Sequence, residues 1–196
     1  MQSTQTTDIA KNSSRTNKVK VATKREVQAI IERVKRGDYP VEQLRSLATF
    51  AAITAGAAAI GASATRKNRG LWYFLQRKPP FQPPKWAFGP AWTALYTLIA
   101  ASGWRVYRAP KSAERTQALG LWGTQLALNT GWSLLFFGKK AKKLALADLV
   151  ALLAAIAAYT ERASKVDRAA AWMMAPYLGW VSFAGVLNEE IARRNH

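Results

Sequence analysis

The 196-residue sequence contains no cysteine and one histidine, which is the last residue, His196. Without cysteine the chain has no disulfide, no thiolate nucleophile and no iron–sulfur cluster. Without an internal histidine it has no His-based metal site and no histidine-containing catalytic dyad. Phosphate-binding glycine loops, nucleophile elbows and zinc-protease motifs are also missing from the sequence. We therefore expect no metal, no cofactor and no residues for hydrolytic or acid–base catalysis.

Acidic residues are scarce, with 11 Asp and Glu against 29 Lys and Arg, which gives a formal net charge of +18. A charge of this size is also found in nucleic-acid-binding proteins. However, the basic residues gather in short clusters, and apolar stretches with almost no charge lie between them. Membrane proteins place lysine and arginine in this way. We therefore expect a multi-pass integral membrane protein in a lipid bilayer, without a nucleic-acid partner.

Five apolar runs predict five membrane-spanning helices, since each is about the length that a bilayer requires. The predicted helices cover about 45–65, 85–107, 116–138, 144–160 and 169–191. They account for the chain after residue 40, so we expect one all-α domain, residues 41–196, built as a five-helix transmembrane bundle. Lysine and arginine are nearly equal in number on its two sides, so the positive-inside rule assigns no orientation.

Residues 1–40 differ from the rest because they are rich in Ser, Thr, Lys and Arg and poor in large apolar side chains. Such a basic arm buries too little surface to offset its ordering entropy, which predicts disorder. An alternative is a short helix over about 24–36 that lies on an anionic membrane surface. The early Ser, Thr and Arg also resemble an organelle transit peptide, which Asp8 and Glu26 weaken. A bacterial envelope and a eukaryotic organelle both stay open as locations.

The segment from Lys78 to Tyr96, KPPFQPPKWAFGPAWTALY, combines five prolines with two tryptophans. Proline fixes φ and removes a backbone donor, so the part up to Pro84 is predicted to be a rigid, extended loop. The second helix then begins with tryptophan-bearing turns. We expect the loop and this helix to form the lid and one wall of a pocket.

Three predicted helices each carry aromatic residues along one face, and two of them carry an amide near mid-span. Such stripes are common in ordinary helix packing, but a mid-span indole N–H needs a hydrogen-bond partner. Asn129 and Asn188 should face the bundle interior, because hydrocarbon penalises polar groups. This pattern favours a pocket for a flat, apolar ligand. The residues of these faces are Trp92, Tyr96 and Ile99 on the second helix, Asn129, Trp132 and Phe136 on the third, and Tyr177, Trp180, Ala184 and Asn188 on the fifth.

The motifs WAFGPAWTALY, QLALNTGWSLLFFG and APYLGWVSFAGVLN resemble the TspO/MBR family of tryptophan-rich sensory and translocator proteins, also called peripheral benzodiazepine receptors. The resemblance implies a five-helix membrane bundle of the TspO/MBR type, often a homodimer, whose pocket binds tetrapyrroles such as protoporphyrin IX. Sterols are a further family ligand. The positions that it implies for the pocket are Trp92, Tyr96, Asn129, Trp132, Trp180, Phe183 and Ala184.

The resemblance leads us to expect a membrane receptor that binds porphyrin for its sensing, trafficking or disposal, rather than an enzyme. Two alternatives stay open. One is light- and oxygen-dependent porphyrin degradation, which the family resemblance associates with Trp92 and Trp180. The other is transport of a tetrapyrrole or a sterol. The sequence departs from the family's cholesterol motif, because no Lys or Arg follows Tyr177 within the reach of that motif.

Charged side chains raise two further expectations. The propionates of a porphyrin are costly to bury unpaired, and the pocket helices offer no mid-span cation. The basic residues between the first two helices are therefore candidates for pairing, above all Arg77 and Lys78; the others are Arg66, Lys67 and Arg69. The alternative is that all five flank the membrane and face lipid headgroups. Asp148 lies in the first turns of the fourth helix, where the dipole favours an acid, and we expect it to reach the lysines of 139–143. A proton relay through Asp148 is the alternative.

Overall fold

The structure is a computed structural model that describes residue 28 and residues 41–68 and 74–195. The chain divides into two compact units, Met1–Arg45 and Ser46–His196. In the first unit the description covers helical Gln28 and the first helical turn of residues 41–45. Apart from Gln28, the predicted arm over residues 1–40 and its predicted helix lie outside the described residues.

The described residues form helices and loops without a strand, which confirms the all-α expectation. The five long helices are α1 (Val41–Asn68), α2 (Lys85–Arg108), α3 (Ala113–Ser133), α4 (Lys142–Ser164) and α6 (Ala175–Arg194), with a short α5 (Arg168–Trp172) before α6. By length and apolar composition, α1, α4 and the α5–α6 segment can each cross a membrane. Helices α2 and α3 carry more tryptophan, tyrosine and amide groups, which lower their mean hydropathy.

Two helices that the sequence predicts to be continuous are interrupted in the structure. The last predicted helix, 169–191, is broken by a turn at Met173 and Met174. Pro176 explains the break, because its ring nitrogen cannot donate to the carbonyl of the preceding turn, whereas it is tolerated at the start of α6. The third predicted helix changes to a π-helix over Leu134–Gly138, where the Lys139 N–H donates to the Leu134 carbonyl at 2.9 Å.

Buried hydroxyl groups connect three of the helices in the core. The Ser102 hydroxyl of α2 donates to the Ala170 carbonyl of α5 at 2.7 Å. It also lies 2.7 Å from the Tyr159 hydroxyl of α4, which must donate because the serine proton is already used. Both side chains are 0% exposed. Around them packs an apolar cluster that includes Ile99 and Ile156, so the polar contacts sit inside a well-packed core.

Helices α2 and α3 approach each other closely where Gly103 faces Trp122. The indole N–H of Trp122 donates to the Ile99 carbonyl at 2.9 Å. A β-carbon added at Gly103 would lie 2.4 Å from the same indole nitrogen, so only glycine fits there. On its other side Trp122 contacts Phe50 of α1 edge-to-face, with ring centroids 4.7 Å apart. The indole is therefore held between three helices.

Asp167 closes the turn before α5 and connects it to α2. Its carboxylate accepts from the backbone N–H groups of Ala169 and Ala170 as an N-cap, and it forms a 2.9 Å salt bridge with Arg105. Partial burial acts to raise the pKa of Asp167, but these hydrogen bonds and the Arg105 charge outweigh it and hold the pKa below its usual value. Asp167 is thus stabilising in its ionised form.

Replacing Gly103 by alanine should destabilise the fold, because the new methyl group would overlap the fixed indole of Trp122. We expect a loss of about 1–3 kcal/mol, as for other overpacked cores. The matched control is Gly120→Ala in α3, where an added β-carbon meets no atom within 4 Å. Thermal unfolding in detergent should show a lower Tm for G103A and an equal or higher Tm for G120A. Equal Tm values for the two variants would contradict the close approach.

The stability of the protein should depend on pH through Asp167. Its folded pKa lies below the unfolded value of about 3.9, so its contribution is full above that pH and is lost as the pH falls through the folded pKa. Asp167→Asn keeps a capping side chain and removes the charge. We expect D167N to have the lower Tm at pH 7, with the difference from wild type narrowing towards pH 2. A difference that stays constant with pH would show that the charge plays no part.

Candidate functional site

A cavity of about 900 Å³ lies between α1 and the faces of α2 and α6, with the end of α3 at one side. This volume is within the range of sites that hold small molecules and cofactors. The lining residues contributed by α2, α3, the π-helix and α6 include Phe88, Trp92, Tyr96, Trp132, Phe136, Phe137, Trp180, Phe183 and Ala184. The structure thus brings to one cavity six of the seven pocket positions that the resemblance implies, all but Asn129, together with Asn188 of the aromatic stripes; Tyr177 does not line it.

The wall formed by α1 consists mostly of small side chains, which the sequence analysis did not assign to the pocket. Its lining residues include Ala51, Thr54, Ala55, Ala58, Gly61, Ala62 and Thr65. Helix α1 contacts α3 at two places, through Phe50 on Trp122 and through Gly61 next to Ser133. Between these contacts its small side chains do not fill the space towards α2 and α6, which leaves the cavity open.

The opposite wall is aromatic, and its rings contact one another. Trp92 stacks on Tyr96 with centroids 5.2 Å apart and meets Trp180 edge-to-face at 6.3 Å and 81°. Trp132 stacks on Phe136 at 5.2 Å. A flat ring inserted between two indoles would need them parallel and about 7 Å apart, since carbon atoms pack at about 3.5 Å. Trp92 and Trp180 therefore form one surface for a ligand, rather than two facing surfaces.

Asn129 lies behind this wall and is 3% exposed. Its amide oxygen accepts from the Tyr96 hydroxyl at 2.7 Å, and its amide nitrogen donates to the Tyr177 hydroxyl at 3.0 Å. Asn129 thus orients Tyr96, which lines the cavity, through the phenol group. Its place in the interior agrees with the expectation that hydrocarbon would exclude an amide. It supports the wall instead of contacting the cavity.

Four polar atoms of the lining residues are buried and have no hydrogen-bond partner in residues 41–68 and 74–195. They are Thr54 Oγ1, Gln82 Oε1, Trp132 Nε1 and Asn188 Oδ1. The set contains a donor, two acceptors and a hydroxyl that can act as either. Buried polar groups are normally paired, so these four atoms are exceptions among the described residues, and each is covered by protein rather than open to the cavity.

The proline-rich loop before α2 lies over one end of the cavity, as the sequence predicts. Gln82 lines the cavity, and Phe81 contacts Phe183 edge-to-face at 6.3 Å. Asn195, just after α6, holds the loop: its amide oxygen accepts from the Arg77 N–H at 2.8 Å, and its nitrogen donates to the Arg77 carbonyl at 3.0 Å. The ammonium of Lys142 donates to the Asn195 carbonyl. The loop is therefore held by Asn195 after the end of α6, and Asn195 in turn contacts the start of α4.

The basic residues expected to pair with propionates are placed differently from the prediction. Arg77 and Lys78 do not line the cavity, and Lys78 Nζ donates to the Phe74 carbonyl at 3.3 Å. Among the described residues, the cations that do line it are Arg66 at the end of α1 and Lys85 at the start of α2. Arg66 was among the loop candidates, whereas Lys85 was missed. The sequence signal for Lys85 was its position directly after Pro84, where the proline-rich loop ends and the second helix begins.

Asp148 does not reach the lysines before α4, so that expectation is wrong for the described part of the chain, where its side chain forms no salt bridge. A β-carbon at Gly131 of α3 would lie 3.2 Å from Asp148 Oδ1, which places the carboxyl against that helix. Its Oδ2 atom is buried without a hydrogen-bond partner. The lack of a side chain at Gly131 gives the carboxyl a position between the helices, away from the cavity.

Comparison with known proteins agrees with this architecture. The model of the TspO/MBR family matches residues 48–194. The translocator protein of Bos taurus is 38% identical over 139 residues, which cover 69% of this chain and 82% of the bovine protein. Protein CrtK of Rhodobacter capsulatus is 34% identical over 76% of this chain and 94% of its own length. The tryptophan-rich protein TspO of Chlorobaculum tepidum is 32% identical over 79% and 98%. The chain therefore belongs to the TspO/MBR family of membrane proteins.

Proposed function

We propose that this protein binds porphyrin-type tetrapyrroles, such as protoporphyrin IX, within the membrane and so serves their sensing, trafficking or disposal. The observation that carries the proposal is the lining of the cavity. Small side chains on α1 and a wall of contacting aromatic rings border a space of about 900 Å³. A planar, apolar macrocycle can pack on the aromatic rings through one face and on the small side chains through the other.

Each expected pocket residue has a specific part in this proposal. Trp92 and Trp180 supply the surface on which the ring lies, and Tyr96 extends that surface along α2. Trp132, Phe183 and Ala184 complete the wall. Asn129 keeps Tyr96 in place through its hydrogen bond, without contact to the ligand.

The direct contact of Trp92 with Trp180 favours a second candidate function, the light- and oxygen-dependent degradation of the bound porphyrin. Two touching indoles beside an excited porphyrin are groups that light and oxygen can oxidise. In this candidate the protein is an enzyme and the two tryptophans take part in the chemistry. Sterol and tetrapyrrole transport has no comparable observation in its favour.

Binding should be visible as quenching of tryptophan fluorescence during titration with protoporphyrin IX. We expect the double substitution W92F/W180F to raise the Kd about tenfold and to reduce the quenching, since aromatic contacts contribute about 0.5–1.5 kcal/mol each. The matched control is W86F/W172F, because Trp86 and Trp172 are 76% and 72% exposed and lie outside the cavity lining. If W92F/W180F binds and quenches as wild type does, the ligand does not lie on this wall.

Illumination of the same complexes in air separates a binding protein from an enzyme. For a binding protein, the absorbance of bound protoporphyrin should decay no faster than in W92F/W180F or in a protein-free micelle. For a porphyrin-degrading enzyme, the decay should be faster with wild type, should need oxygen, and should slow in W92F/W180F. The W86F/W172F control should follow wild type in either case. We expect the result described for a binding protein.

A further inference from the structure

Arg66 and Lys85 are cations at the mouth of the cavity without a counter-ion in the described chain. Both line the cavity, and both are exposed at its mouth. The cations that form salt bridges in residues 41–68 and 74–195 include Arg105, Lys165, Arg193 and Arg194. The described residues that line the cavity include no Asp and no Glu. This part of the lining therefore carries positive charge and no negative charge.

Lys78 adds to the positive field at this mouth. Burial lowers the pKa of Lys78, and the nearby positive charge of Lys85 lowers it further. Lys78 already has contacts of its own, with the Phe74 carbonyl and the Phe74 ring. Lys85 thus lies close to a second cation that does not face the cavity. An anion at the mouth would relieve this repulsion, and the field would attract it.

We propose that Arg66 and Lys85 form a carboxylate-recognition site at the mouth, so that the physiological ligand is a flat, apolar ring that carries carboxylates at one edge. The inference rests on the proposed function and narrows it to acidic ligands. The ring lies between the α1 wall and the aromatic wall, and its acidic edge points to the mouth. Arginine suits this role because its guanidinium holds both oxygens of a carboxylate in one plane.

A lipid headgroup phosphate offers the same oxyanion chemistry as a carboxylate. It is relevant here because headgroups lie at the ends of membrane-spanning helices, such as those of α1 and α2. The two ligands differ in the group that carries the anion, which is a lipid in one case and an aromatic ring in the other. Lys67 and Lys143 are exposed and outside the cavity lining, as expected of residues that face headgroups. Arg66 and Lys85, in contrast, share their cavity with Phe88 and Trp92. This placement favours an acid joined to an aromatic ring.

The test compares protoporphyrin IX with its uncharged dimethyl ester, in protein held in nanodiscs of phosphatidylcholine. For R66Q/K85Q we expect the Kd of the acid to rise at least about tenfold, or about 1.4 kcal/mol, while that of the ester changes less than about twofold. The charge-conserving variant R66K/K85R should retain most of the affinity for the acid. The matched control K67Q/K143Q removes the same charge outside the cavity and should bind both ligands as wild type does.

The outcomes separate this inference from the proposed function. Equal losses of acid and ester in R66Q/K85Q would overturn the carboxylate site and leave porphyrin binding intact, as would an unchanged affinity for the acid. Repeating the titrations with phosphatidylglycerol tests the lipid source, because its anionic headgroup would compete with the acid for a phosphate site: we expect the same difference between acid and ester. Loss of that difference with phosphatidylglycerol would assign the site to headgroup phosphate and overturn the proposal. If wild type binds neither porphyrin, the proposed function itself fails.

Discussion

The hydrocarbon core of a bilayer offers no hydrogen-bond partner, so polar side chains in membrane helices are stabilised by partners in their own helix or on neighbouring helices. In this protein Asn129 pairs with two tyrosines, and Ser102 pairs with Tyr159 and a backbone carbonyl. Each contact joins different helices and therefore determines which face of each helix is turned inward. The aromatic wall follows from this constraint, because Tyr96 and its neighbour Trp92 lie on the inward face that Asn129 holds.

The cavity exists because α1 is supported at its contacts with α3 and carries small residues between them. Phe50 contacts Trp122 near one end, and Gly61 lies next to Ser133 near the other. Several small side chains in this interval line the cavity. The close packing of α2 on α3 at Gly103, in contrast, leaves no such gap. The same bundle thus contains a cavity next to α1 and tightly packed helices at Gly103. Which of the two occurs depends on the size of the side chains and on where the helices meet.

The sequence was sufficient to predict the helices and the aromatic wall, since both depend on local pattern. The three tryptophan motifs identified Trp92, Trp132 and Trp180, which share one cavity in the structure. The sequence did not reveal the α1 wall, because alanines there look the same whether they face a cavity, a helix or lipid. Pairing also depends on three-dimensional position: Asp148 contacts α3 at Gly131, and Lys85 rather than Lys78 reaches the cavity. Pro176 was a sequence signal for the break before α6, but the prediction of one continuous helix over 169–191 did not use it.

The composition of the α1 wall has a consequence for how ligand choice can change in proteins built this way. Exchanging Ala55 or Ala58 for a larger residue would alter the depth and outline of the slot, without touching the tyrosine–asparagine contacts or the tryptophan pair. Ligand size can therefore change through substitutions in a helix that carries none of the recognisable motifs. Two proteins with identical aromatic walls would accept ligands of different size if the side chains on α1 differed by a few methyl groups.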